Sequence, residues 1–363
     1  MKLMIIESPG KIAKLSAILG DGWKIAASVG HVRDLPQKEM GVEAPDFKPS
    51  YELTERGSDV VARLKGLVKN ADAVYLATDP DREGESISWH LQQCLKLTNP
   101  QRITFNEITA NAVKSALLQP RSIDVQRVAA QEARRVLDRL VGYMVSPELS
   151  RQSGERLSAG RVQSPAVRLV VERERQIRAF KVTNHFGAML FFADAKTEGE
   201  WSAEWLTKPD FVTEDNPYFM DRAFAAAVAE VGAVVVKSFT EGEAKRSPPP
   251  PFTTSTMQQA ASVALGLNPK AAMEAAQKLY EQGHITYHRT DNPNVSDDAL
   301  GDIYAVAVKL GLDMAESPRK FKAPEGAQVG HPAITPTHWE VEEAGETAEQ
   351  RALYKLIRLR AIA

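Results

Sequence analysis

Apolar and polar positions alternate with different periods along the chain, and the period marks out the elements. Lys2–Ile6 is a short apolar run, which predicts a buried strand. Glu7-Ser8-Pro9-Gly10-Lys11 then reads as a tight turn, with Ile12 to Leu15 opening a helix. A second strand is expected over Lys24–Ser28. Residues 33–58 form a loop-rich excursion, acidic, proline-containing and poorly periodic. Over Gly57–Asn70, Val60, Val61, Leu64 and Leu67 fall on one side of an amphipathic helix. Ala73–Ala77 returns to a buried strand. Val182–Lys237 alternates and predicts strands and a hairpin, with one helix near Arg222–Val231. Proline-rich Ser247–Phe252 is a stiff linker. Hydroxyls from Thr253 to Thr256 offer an N-cap to a helix over Met257–Leu265. In Pro269–Gln282, Ala272, Ala275, Ala276 and Leu279 recur at helical spacing, and Gly283 ends that helix. An extended piece, Ile285 to Arg289, follows. Glu346–Ala363 reads as a last helix.

Composition narrows the class. The 363 residues suggest two to three domains. A 43% hydrophobic and 25% charged content is that of an ordinary globular chain. A single cysteine, Cys94, leaves no internal disulfide and no Cys-rich zinc ribbon, which is compatible with a reducing cytoplasm. No apolar run approaches the ~20 residues that span a bilayer, and Met1–Glu7 is too short for a signal peptide. The net charge of −2 does not suggest a nucleic-acid partner. Locally the balance reverses: Arg121–Phe180 holds twelve arginines and seven acids, and no lysine. Arginine suits bidentate phosphate contacts; the alternative is a solvated face laced with ion pairs.

Candidate chemistry lies in five places. Glu7 ends the first strand, where open α/β sheets place their sites. Asp79, Asp81 and Glu83, spaced D-x-D-x-E, follow the Ala73–Ala77 strand and suit a hard cation such as magnesium, though acidic loops are common without one. In an extended chain Ile285, Tyr287 and Arg289 share a face. A phenol able to attack phosphorus would then stand beside a guanidinium able to hold phosphoryl charge; a tyrosine in a short strand is otherwise structural. Arg134, Leu137 and Asp138 share a helical face, with Asp138 also available as an intrahelical partner for Arg134 or Arg135. Ser158-Ala159-Gly160-Arg161 reads as a loop entering another helix, whose N-terminus favours phosphate.

These motifs together resemble one family. Ile5–Lys11 with Leu76–Ile87 looks like a toprim domain, specifically that of type IA DNA topoisomerases. Ser28–Pro36, Arg102–Thr109, Gln131–Tyr143, Leu157–Ser164, Gly283–Asp291 and Gly330–Thr337 fit the same family. The resemblance implies a mixed α/β chain: a toprim domain with a parallel sheet over 1–120, a helical single-strand DNA-binding segment over 121–181, a β-rich arch over 182–246, a tyrosine-bearing domain over 247–345 and the start of a returning segment over 346–363. It covers nearly the whole chain but lacks the family's return segments, so a truncated form is expected.

The resemblance also implies roles. Tyr287 is the nucleophile, leaving the enzyme on a 5′-phosphate. Arg289 and Lys11 hold the phosphate, Glu7 handles the proton on the 3′ oxygen, and His331 lies near the scissile phosphate. Glu7, Asp79, Asp81 and Glu83 hold Mg2+. Arg135 and Tyr143 contact a base upstream of the cut; Arg134, Asp138, Ser158, Arg161 and Gln163 line the phosphate track, with His31 and Arg82 also on DNA. The expected activity is ATP-independent relaxation of negatively supercoiled DNA by a cytoplasmic monomer, without a membrane partner. His288, Asn292 and Pro332 depart from the common pattern. A toprim nuclease or primase shares the acids but has no use for the Tyr287 segment. A single-strand binder without strand passage is the remaining alternative.

Overall fold

The computed structural model describes all residues except 194–199, 245, 314, 316 and 325–329. The chain forms two compact units, Met1–Arg161 with Ser247–Ala363, and Val162–Arg246.

The first unit is built on β1 (Lys2–Ile6), whose residues after Lys2 are all buried. α1 (Ile12–Leu19) returns the chain to β2 (Trp23–Ala27). The excursion contains four two-residue strands, β3 (Arg33–Asp34), β4 (Val42–Glu43), β5 (Lys48–Pro49) and β6 (Glu52–Leu53). α2 (Glu55–Val68) begins earlier than its apolar stripe suggested, because the Thr54 hydroxyl caps it at Gly57 N. β7 (Ala73–Leu76), α3 (Arg82–Leu95) and β8 (Gln101–Arg102) follow. β1, β2, β7 and the two-residue β8 make one parallel sheet in the order β2-β1-β7-β8, with Ile6 opposite Ala27 and Ile5 opposite Leu76.

Both sheet faces are covered, which is why the strands read as continuous apolar runs. Leu3, Ile5 and Leu76 pack on Val60, Val61 and Leu64 of α2 and Ile87 and Leu91 of α3. Met4 and Ile6 pack into a second cluster with residues from the far end of the sequence. α4 (Ala110–Leu118) leads to α5 (Val125–Leu140), which runs through a π-helical turn at Val141–Val145 into α6 (Ser146–Ser153).

The second unit opens with α7 (Gln163–Ala179) and contains an antiparallel hairpin, β9 (Met189–Ala193) and β10 (Glu200–Glu204), as the alternation predicts. Its turn, 194–199, lies outside the described residues. α8 (Arg222–Ala229) adds Phe224 to Trp205, Phe211 and Phe219 in an aromatic cluster. Beyond this hairpin no strand occurs among the described residues of the segment expected to be β-rich.

The chain re-enters the first unit with α9 (Thr254–Leu265), closed by a Thr253–Thr256 capping box, and α10 (Pro269–Glu281), capped by Asn268. α11 (Leu300–Leu310) and α12 (Ala348–Ile362) complete it. Met257, Ala261, Ala276, Leu279, Leu353 and Ile357 join Met4 and Ile6 in one core. The tyrosine segment is thereby fixed against the sheet.

Candidate active site

Glu7 leaves the end of β1 and Asp79 the end of β7, its neighbour in the sheet, so both carboxylates reach the same edge. Asp81 stands two residues on, extended, and caps α3: its Oδ1 accepts from Gly84 N at 2.8 Å. Gly84 is required there, since a Cβ would fall on the carbonyl oxygen of Asp79.

Residues 285–289 form no strand. Their backbone bonds go elsewhere: Tyr287 N donates to Asn106 O at 2.7 Å, Thr286 N to Thr335 O at 2.9 Å, and Ile285 bridges Pro336. The expected shared face nevertheless exists. Tyr287 Oη donates to Asp81 Oδ2 at 2.6 Å, and Arg289 Nη1 lies 3.8 Å from the same oxygen. Tyr287 is only 1% exposed. Burial, then Asp81 and Asp79, push its phenol well above the usual tyrosine range, so it is a neutral donor.

Lys11, itself buried, pairs with Asp79 and lies 4.7 Å from the centre of the Tyr280 ring. Burial and Asp79 push Glu7 up to about 7, against the pull of Lys11. His331 is buried with its ring 5.5 Å from that of Tyr287, and its Nε2 is 3.2 Å from Pro80 O. The expected residues Glu7, Lys11, Asp79, Asp81, Tyr287, Arg289 and His331 are therefore brought together.

Glu83 lines one cleft with Asp81 and Arg289 but bonds elsewhere: α3 begins at Arg82, so the alternation that aligns Asp79 with Asp81 gives way to a helical period. The Glu83 carboxylate meets His31 Nε2 at 2.7 Å, a contact that holds it below the usual carboxylate range. Glu7, Asp79 and Asp81 offer only oxygen, the donor type a hard cation takes, and Glu7 Oε2 is buried without a hydrogen-bond partner; among the described residues no three carboxylate, histidine or cysteine side chains are gathered closely enough to hold a metal ion as they stand.

The DNA-directed residues are differently disposed. Arg135 forms a two-pronged pair with Asp34 at 2.9 and 2.6 Å, which occupies the guanidinium expected to read a base. Asp138 pairs with Arg161 at 2.8 Å rather than with Arg134 or Arg135. Arg134 is exposed, and with Arg82 and Arg289 it lines a cleft of about 440 Å³. Tyr143 Oη donates to Gln37 O at 2.7 Å. Ser158 is exposed on the loop before α7; Gln163 starts α7, in the other unit.

Two arginines inside the family-like stretches were given no role by the sequence. Arg102 is fully buried; it pairs with Glu85 and donates to the carbonyls of Leu76, Thr78, Asp79 and Ile103, clamping the strand end that carries the acids. Its place at the head of the Arg102–Thr109 stretch was the available signal. Arg139 lies 4.4 Å from the centre of the Tyr143 ring and donates to Pro36 O and Glu39 O; its i, i+4 spacing to Tyr143 was the available signal.

A Toprim domain model matches residues 2–108, and a DNA topoisomerase model matches residues 122–363. The chain belongs to the DNA topoisomerase family. It is 87% identical to a plasmid DNA topoisomerase I of Xylella fastidiosa (strain 9a5c), over 100% of this chain and 55% of that protein. With DNA topoisomerase 1 of Streptomyces coelicolor it shares 40% identity over 100% of this chain and 42% of the relative. Full-length topoisomerase I from Thermotoga maritima superposes with a TM-score of 0.84 at 35% identity, covering 99% of this chain and 60% of that one. This topoisomerase-family chain spans about half the length of the curated relatives it matches. The family and the mixed α/β fold with an N-terminal toprim sheet are those read from the motifs. No helix among the described residues is long and apolar enough to cross a membrane.

Proposed function

We propose that this chain carries the cleavage centre of an ATP-independent type IA DNA topoisomerase, which cuts one strand through a 5′-phosphotyrosine, passes a strand and religates, relaxing negatively supercoiled DNA. The observation that carries the reading is the 2.6 Å bond between Tyr287 and Asp81, which joins the tyrosine segment to acids at the sheet edge.

In cleavage, Tyr287 Oη bonds to phosphorus and the bond to the 3′ oxygen breaks. The phenol is neutral, so its proton must leave; Asp81 Oδ2 already accepts its hydrogen bond and is placed to take it. Arg289 and Lys11 offset the charge that grows on the phosphoryl oxygens. Glu7, with its carboxyl near neutrality, is matched to protonating the departing 3′ oxygen and to removing that proton on religation. One phosphodiester replaces another, so no nucleotide is hydrolysed. Glu7, Asp79 and Asp81 would hold Mg2+, which supplies positive charge for positioning a 3′ end and relieves the mutual repulsion of the acids. Single-stranded DNA follows the Arg82–Arg134 cleft, in a cytoplasmic setting and with the protein acting as a monomer.

The test is cleavage of an end-labelled single-stranded oligonucleotide by the protein and by Tyr287→Phe. The expected outcome is a covalent adduct on the 5′-phosphate side that falls to background in the variant. Cutting that persists without Tyr287 would turn the reading to a metal-dependent toprim nuclease. Binding without any adduct would leave a single-strand binder.

A further inference from the structure

Arg289 lines two clefts. One is the 440 Å³ cleft shared with Asp81, Arg82 and Arg134. The other, of about 600 Å³, lies toward the start of α9 and is bordered by Lys322, Thr256, Pro251 and Pro293. A phosphate held by Arg289 beside Tyr287 therefore has room for chain on both sides.

The chemistry assigns a polarity to the two sides. Glu7, which handles the 3′ oxygen, belongs to the sheet edge beside Asp79, and Arg82 and Arg134 continue from that side. The fragment ending in a 3′-hydroxyl lies there. The fragment that stays on Tyr287 has to leave the other way, past Arg289.

We propose that the Lys322 cleft is the downstream subsite, which binds the phosphates and sugars of the strand fragment held on Tyr287. This rests on the function proposed above. Lys322 is exposed and has no ion-pair partner among the described residues, so its ammonium is available to a backbone phosphate. The proline rings give rigid apolar faces to sugars and bases at little entropic cost. Asp291 is an acid on the same rim; it keeps the subsite from holding the strand by charge alone and leaves the weight on Lys322 and Arg289. Lys322 as a point charge gives no base selectivity.

The experiment uses the whole chain and two single-stranded oligonucleotides with the same upstream sequence, carrying one or five nucleotides beyond the cut. Binding is read by fluorescence anisotropy and adduct formation by gel. The wild type is expected to prefer the longer oligonucleotide by about tenfold, and Lys322→Ala to cut that preference about fivefold. A neutral methylphosphonate at the second downstream phosphate should reproduce the loss in the wild type and add nothing in Lys322→Ala. If adducts form in the wild type but the preference is unchanged in Lys322→Ala, or the methylphosphonate loss is additive, the subsite is wrong while the cleavage reading stands. If the wild type forms no adduct on either oligonucleotide, the cleavage reading fails and takes the polarity of the subsite with it.

Discussion

Glu7 is a residue whose surroundings alter its chemistry. Its carboxyl is pushed up from 4.5 to about 7 by burial and the neighbouring Asp79. Between these values the folded chain binds a proton that the unfolded chain has released. Stability conferred by that proton is present at acid pH, and it falls as pH rises from about 4.5 to about 7. In the presence of a chelator, wild-type stability should drop by on the order of 2 kcal/mol between pH 4.5 and 8, beyond the change seen in Glu7→Gln. Urea unfolding at both pH values measures this, and identical pH dependence in the two proteins would refute it. Magnesium should shrink the drop by stabilising the ionised carboxylate. The sequence placed Glu7 at a strand end but carried no sign of its neutral form, which depends on burial by residues far away in the chain.

At the scale of elements, the turn from β7 into α3 governs the site. Asp79 and Asp81 are extended, Asp81 caps the helix, and Gly84 lets the first turn lie on the Asp79 backbone. Gly84→Ala should force the helix start away from that carbonyl and cost about 2–3 kcal/mol. Displacing Asp81 from Tyr287 by ~1 Å should slow cleavage by roughly 100-fold. Thermal denaturation and single-turnover cleavage check both parts; a variant with native stability and native rate would show that the turn has slack. Equal spacing of Asp79, Asp81 and Glu83 suggests three converging carboxylates, but the backbone changes period at Arg82, and Glu83 bonds His31 while lining one cleft with Asp81.

For the whole molecule, the charge asymmetry along the chain has a measurable consequence. The protein is nearly neutral, yet Arg134 and Arg82 open a cleft beside Arg289. Arg134→Ala should weaken single-stranded DNA binding to a similar degree for every sequence and lower the slope of log affinity against log salt by about 0.7. Titration at several salt concentrations with two unrelated oligonucleotides measures this; a sequence-dependent loss would mean that Arg134 reads bases. Arg135 was expected to contact a base; in this structure its guanidinium is paired with Asp34, 101 residues away in sequence.

The sequence by itself determined the local order. Apolar runs marked three of the four sheet strands, a hydroxyl cap set the start of α9, and short motifs identified the family. It also marked Tyr287 and Arg289 as neighbours on one face, since alternation holds for any extended backbone, with or without a strand. Only the tertiary structure decided which groups meet. It set Tyr287 on Asp81, left Glu83 with His31, gave Arg161 to Asp138 and buried Arg102 beneath the acids. Each of these is a contact between residues on separate elements, or depends on where an extended turn becomes a helix. Spacing along a chain fixes the direction of a side chain within its own element. The charge and cavity that it meets are supplied by the elements packed against it.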